Sequence, residues 1–340
     1  MGRKNKTYFK DLHQQAYDKL VSMQAFGESK RAAAAAGKDK EKIFSFNTYQ
    51  TYWKHTKYFL QYMKENHSEC TTLKSARKYV NEWLQVRADQ GLSAWTVQVE
   101  AKALGKLYGI SPGDEGYFTP PKRRREDITR SRGDRVRDKH FSEANNDELI
   151  KFCKGTGLRR SELAALRGGD LMARAQIDQE LAQLEKVPAE QLTPQEVRRV
   201  EVLRDTKLFR EEYFVYVRNG KGGRERLSPI IGKNAGQIVE RIQSTPVGAI
   251  VWQHVHQSAD IHSYRSDYAT AIYKAHAREI KEIPFDRISK GTGRRYQSQV
   301  YTCRKDEAGK KLDKTAMLVC SKALGHNRIN VVADNYIRGL

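Results

Sequence analysis

Apolar positions between 46 and 111 recur at helical spacing. Tyr49, Trp53, Thr56, Phe59 and Met63 fall three or four apart, which predicts a helix with one buried face. Asn47 is placed to cap it. A second helix is expected over 73–89, with Ala76, Val80 and Trp83 inward, and Ser93 opens a third, AWTVQVEAKALGKLYG. The aromatic stripe reads as core rather than as a platform for stacking bases. Residues 1–45 are more polar. KDLHQQAYDKLVSMQAF predicts one helix and RAAAAAGKDKEK a charged join. A DNA-contacting arm, an assembly helix and a plain solvated helix all fit that stretch.

The pattern breaks over 112–139, where the Pro- and Gly-rich SPGDEGYFTPP precedes KRRREDITRSRGDRVRDK. Turn residues and dense charge argue against a packed element, so this is read as a basic linker. Periodicity returns at 140. EANNDELIKFCKG predicts a helix ending at Gly155, with Gly157 opening the turn into LRRSELAALRGGDL. Residues 213–230 read as a β-hairpin, YFVYVRN and RERLSPI around GKGG. Helices are expected over HSYRSDYATAIYKAHAREI and around Ala323 and Tyr336. Two stretches stand out as insertions. Residues 171–206 predict an antiparallel helical hairpin whose second helix opens on a capping box, Thr193 to Glu196, with Pro194 at its first position. Residues 281–312 predict a small basic hairpin. Either insertion can touch DNA or a neighbouring protomer, or simply be solvated. The sum is a mainly α chain with a small β-hairpin or sheet, an α+β fold.

Composition narrows the class. A length of 340 residues suggests two domains, and 39% hydrophobic content is enough for real cores. Lys and Arg number 62 against 41 Asp and Glu, a net charge of +21. Such an excess predicts a polyanionic partner and strong salt dependence; the alternative is a basic protein with no such partner. In the linker, Lys122, Arg123, Arg124, Arg125, Arg130 and Arg132 are the DNA-binding candidates. Cys70, Cys153, Cys303 and Cys320 form no C-x-x-C pair and read as reduced thiols. No apolar run approaches the ~20 residues that span a bilayer, and MGRKNKTYF lacks a signal-peptide core. A cytoplasmic protein, nucleoid-associated when bound to DNA, with no membrane partner, is therefore expected. No P-loop, H-E-x-x-H or paired catalytic carboxylates are present, so no cofactor and no metal are implied.

The chemistry-bearing residues lie in the C-terminal half: GTGLRRSEL with Arg159 and Glu162, RNGKGGRER with Lys221, IHSYRSDYA with His262 and Arg265, and SKALGHNRINVVADNYIRGL with His326 and Tyr336. Attack on a phosphodiester builds negative charge on oxygen, and guanidinium groups, always ionised and forked, suit that charge. His262 and Arg265 are three apart and share a helix face. The order Arg, Lys, His-x-x-Arg, Gly-His, Tyr resembles the active-site order of the tyrosine recombinase (phage integrase) family, over roughly 46–340 apart from the two insertions.

That resemblance implies a helical core-DNA-binding domain at 46–111, joined by the linker to a tyrosine-recombinase catalytic domain at 140–340. Together these would form a C-shaped clamp on DNA, preceded by the N-terminal helical extension 1–45. It implies that Arg159 and Arg265 hold the phosphate, that His262 and His326 hydrogen-bond it, and that Lys221 protonates the leaving 5′-oxygen. Tyr336 would be the nucleophile, forming a 3′-phosphotyrosyl link, with Glu162 supporting Arg159. It also implies duplex recombination sites bound by a homotetramer, integration or excision of a mobile element, and a directionality factor as a further partner. A chromosome or plasmid resolvase, a type IB topoisomerase and a catalytically silent DNA-binding protein are the alternatives.

The departures define the rivals. Arg160 stands where the family carries an apolar residue, and competes with Arg159. Tyr336 lies ten positions beyond His326, one more than the commonest spacing, and Tyr301 is the other tyrosine to watch. Lys233 is a distant substitute for Lys221, and His254 with His256 invites a metal reading. Only 337–340 follow Tyr336 where relatives extend further to dock on a neighbour; either the C-terminus is shortened here or another element docks, with one of the two insertions, especially 171–206, the natural candidate.

Overall fold

The computed structural model describes residues 10–124, 141–221, 223–304, 307–326, 328–337 and 340. Three of the linker candidates, Arg125, Arg130 and Arg132, lie outside these residues. The chain is mostly helical with small antiparallel sheets, an α+β fold. It divides into two compact units, Met1–Asp127 and Ile128–Leu340.

In the first unit the helices are α1 (Leu12–Ser22), α2 (Lys30–Ala35), α3 (Phe46–Asn66), α4 (Leu73–Ala76), α5 (Val80–Asp89) and α6 (Ala94–Tyr108). Tyr49, Phe59 and Met63 of α3 pack with Trp83, Leu84, Leu104 and Leu107 of α5 and α6. Ala16 and Leu20 of α1 and Ile43 after α2 are buried in the same core, so much of the polar N-terminal stretch is a layer of this unit. Trp53 stays half-buried because α1 covers it with ring edges, His13 at 4.8 Å and Tyr17 at 5.4 Å. The cap of α3 is Ser45, whose hydroxyl accepts from Thr48 N, rather than Asn47. The expected helix over 73–89 is interrupted by a 3₁₀ turn at Arg77–Tyr79. Ser93 caps α6 as the pattern requires.

The second unit runs α7 (Asp147–Thr156), α8 (Arg160–Ala165), β1 (Leu171–Ala173), α9 (Arg174–Leu184), α10 (Pro194–Asp205), β2 (Tyr213–Val217), β3 (Arg226–Pro229), α11 (Ala235–Gln243) and α12 (Ile261–His276). It continues through β4 (Arg287–Ile288), β5 (Arg295–Tyr296), β6 (Val300–Thr302), β7 (Lys311–Asp313), α13 (Lys314–Ala323) and α14 (Asn330–Asn335). Strands β1, β2 and β3 form one antiparallel sheet in that order. The expected hairpin at 213–230 thus gains a third strand from the start of the first insertion, with Leu171 opposite Val215.

The alternation along β2 explains the layering. Phe214 faces a core built from α9, α10, α12, α13 and α14, while Val215 and Val217 face one built from α7, α8 and α11. Helix α12 runs through both, with Tyr264 in one and Tyr268 in the other. The Thr193 capping box with Pro194 at the start of α10 is present. The cysteines are free and buried. Among the described residues no helix is long and apolar enough to cross a membrane.

Candidate active site

Helix α7 ends at Thr156, one residue later than its pattern suggests. Gly155 stays helical, while Gly157 takes the left-handed conformation at φ +60° and stops the helix. A side chain at Gly157 would also collide with Tyr268, whose ring lies 2.2 Å from the position of an added Cβ. This stop puts Arg159 in extended backbone at the N-cap of α8. There its backbone N–H donates to Glu162 Oε2 at 2.8 Å and its Nη1 to Glu162 Oε1 at 2.6 Å.

Glu162 is the hub of the site. Its side chain is nearly fully buried, and Arg226 of β3 donates to both of its oxygens, Nη1 to Oε1 at 2.9 Å and Nη2 to Oε2 at 2.7 Å. Burial alone pushes the carboxyl pKa up. The hydrogen bonds and charge of Arg226, the Arg159 N–H and the Arg265 charge outweigh it and hold the group far below the usual carboxylate range. Arg226 carries no role in the sequence reading. Its only signal is a cation opening a short strand of otherwise inward residues, which demands a buried carboxylate as partner.

Two guanidinium groups converge on one carbonyl. Arg265 Nη2 donates to Leu324 O at 2.5 Å and Arg159 Nη2 to the same oxygen at 3.4 Å, while Arg265 Nη1 donates to Gly157 O. Arg265 is 1% exposed. Burial first, then the like charges of Arg226 and Arg159, lower its pKa to about 10.

The turn after α13 completes the arrangement. Gly325, at φ +68°, passes so close to Arg226 that an added Cβ would lie 2.9 Å from its Cδ. His326 follows, fixed by its N–H to Ser321 O at 2.8 Å and by the Ser321 hydroxyl donating to His326 O at 2.9 Å. Burial and then the charges of Arg265, Arg159, Arg226 and Lys221 lower the His326 pKa to about 4, so the imidazole is neutral at pH 7.

Tyr336 stands one residue past α14 and is 6% exposed. Its ring centroid lies 5.3 Å from that of His262 and 5.2 Å from that of His326, with the Arg265 guanidinium at 5.4 Å. His262, Arg265, His326 and Tyr336 therefore meet, with Arg159 joined to them through Leu324 O. Lys221 is exposed on the turn between β2 and β3, and its charge is felt at His326. His326 Nε2 and Arg265 Nε are buried with no hydrogen-bond partner among the described residues.

The rivals are placed elsewhere. Arg160 is spent on a loop: Nη1 donates to Val255 O and His256 O at 3.2 and 2.9 Å, Nη2 to Gln257 O and Ala259 O at 3.1 and 2.7 Å. Tyr301 lies on β6 opposite Leu312. Lys233 is exposed just before α11. His254 and His256 stack edge-on at 6.2 Å, and among the described residues no three His, Cys, Asp or Glu side chains gather as a metal site. Of the linker candidates, Lys122, Arg123 and Arg124 are exposed in the first unit, with Arg123 over the Trp95 ring at 5.6 Å.

No family model matches the chain, and no curated protein is similar to it. Among solved structures it is similar to XerA recombinase at 13% identity, covering 95% of this chain and 94% of that one, with a TM-score of 0.24. A score that low does not establish a common fold, and the functional reading stands on the geometry of the site.

Proposed function

We propose that the chain is a tyrosine-type DNA strand transferase that performs site-specific recombination. The observation that carries the reading is the Tyr336 phenol set against His262, His326 and Arg265, residues brought together from α12, the α13–α14 turn and the segment after α14. Tyr336 Oη gives up its proton to solvent and attacks as the phenolate, so that a P–O bond to Tyr336 forms as the P–O5′ bond breaks. The leaving 5′-oxygen takes its proton from Lys221, and the free 5′-hydroxyl of a partner strand reverses the step. Because the phosphotyrosyl ester keeps the bond energy, no nucleotide cofactor is needed. Arg159 and Arg265 match the charge that builds on the non-bridging oxygens. The unpartnered His326 Nε2 and Arg265 Nε are suited to a phosphate oxygen.

The finer reading is integration or excision of a mobile element by four protomers on two duplex sites, since exchange cuts four strands. A second reading, a DNA-binding protein on this frame without catalysis, draws on one observation: Tyr336 and Arg265 are nearly closed to solvent. In the catalytic reading the segment around Tyr336 shifts before a phosphate enters. Denaturant trapping on sheared genomic duplex decides between them. Adducts at a recurrent sequence, lost in Tyr336→Phe, support catalysis. Duplex retardation with no adduct under low-salt conditions supports the silent reading.

A further inference from the structure

The hairpin formed by β4 and β5 has no place in the chemistry above, and its construction is unusual. From Arg287 to Tyr296 it carries Arg287, Lys290, Arg294 and Arg295 and no acidic residue. None of these four makes an ion pair among the described residues. Arg287 stands opposite Tyr296 and Ile288 opposite Arg295. Directly opposed residues share a face, so each face presents one cation beside one apolar body. Ile288 is 62% exposed and Tyr296 43% exposed, and both strands are exposed throughout. No core covers either side.

A lone two-stranded ribbon is marginal in water, yet this one is well anchored. At its base, Asp286 accepts from Ser298 N at 2.9 Å and from the Ser298 hydroxyl. The Gln297 amide donates to Ile280 O at 3.0 Å and to Ile283 O. At its tip, Ser289 N donates to Arg294 O at 2.9 Å and Gly293 N to Ser289 O at 2.8 Å. The four cations, with Ile288 and Tyr296, line an open hollow of about 720 Å³.

We propose that the β4–β5 hairpin is a finger that binds duplex DNA, its cations on the phosphates and Ile288 or Tyr296 against a groove. Charge complementarity selects the polyanion. The ribbon shape selects a duplex, because a two-stranded β-ribbon fits a groove of B-form DNA, and apolar side chains beside cations are the means by which such elements wedge at base steps. The proposal rests on the recombination reading only for duplex DNA as the partner.

The test uses the full chain and a labelled mixed-sequence duplex over a salt series. The comparison variant is Arg287→Gln/Lys290→Gln/Arg294→Gln/Arg295→Gln, all at exposed positions. Each lost phosphate contact lowers the slope of log K against log salt by about 0.9, so a drop of about 2–4 is expected, with weaker binding at physiological salt. Adducts at Tyr336 with an unchanged slope overturn the finger. A hairpin-dependent slope without any Tyr336 adduct supports the finger and sinks the recombination reading instead. Tighter binding of single-stranded RNA or anionic vesicles than of duplex overturns the choice of partner.

A second measurement reads position. An added Cβ at Gly291 meets nothing within 4 Å, and the native cysteines are buried, so Gly291→Cys accepts a single iron–EDTA tether. Cuts confined to a short duplex tract are expected. Uniform or absent cutting on bound duplex overturns the proposal.

Discussion

The C-terminal unit uses arginine in two opposite ways. Around Glu162, the guanidinium groups of Arg159, Arg226 and Arg265 are directed at protein acceptors, and Arg226 and Arg265 are almost wholly buried. On β4 and β5 the arginines stand in solvent with no carboxylate opposite them. A guanidinium fixed in a low-dielectric frame costs stability to hold and returns geometry, a defined place for one anionic atom. An exposed one costs little and returns affinity that salt erodes. The same side chain therefore predicts opposite responses to the same substitution.

The largest effect is expected at Arg226→Gln. It leaves the buried Glu162 carboxylate short of its forked partner and should destabilise the unit by about 3–5 kcal/mol in urea unfolding, as when one member of a buried pair is removed. A loss below about 1 kcal/mol would break the comparison. Next comes Gly157→Ala, which puts a Cβ into the Tyr268 ring at a positive φ; a loss of about 1–3 kcal/mol is expected in the same assay. Thr193→Ala removes only the α10 cap and should cost about 1 kcal/mol. Arg295→Gln should stay within about 0.5 kcal/mol while weakening duplex binding; a large stability loss there would mean the hairpin is frame rather than contact surface.

Acid sharpens the same contrast. His326 has a folded pKa near 4 against an ordinary 6.5, so the unfolded chain takes up its proton first. Stability from this group is full above pH 6.5 and declines as pH falls toward 4. Glu162 is depressed from 4.5, so its contribution is intact above pH 4.5 and is lost below it. Unfolding followed from pH 7 to 3 should steepen in these two windows. The first window should flatten in His326→Gln and the second in Glu162→Gln.

What was legible in the sequence was local. Ser93 and the Thr193 box are capping signals contained within four residues, and the meeting of His262 with Arg265 follows from helical spacing. The illegible parts depend on distant chain. Adjacent Arg159 and Arg160 are separated in role by the carbonyls at 255–259, which claim Arg160. The role of Arg226 has no local signal because its carboxylate lies 64 positions away. Leu171–Ala173 is indistinguishable from the helical insertion in sequence because so short a strand is defined only by its pairing with β2. The α3 cap moved from Asn47 to Ser45 because a hydroxyl two residues earlier meets the same need.

In the recombination proposed above, Tyr336 is the atom-level link between this protein and cut DNA. The direct measurement is protease digestion of the trapped covalent adduct, followed by mass spectrometry of the nucleotide-bearing peptide. The expected result is a nucleotide on the peptide spanning Tyr336, attached through the phenol as a 3′-phosphoester. A nucleotide on the Tyr301 peptide, or on no tyrosine at all, would contradict it.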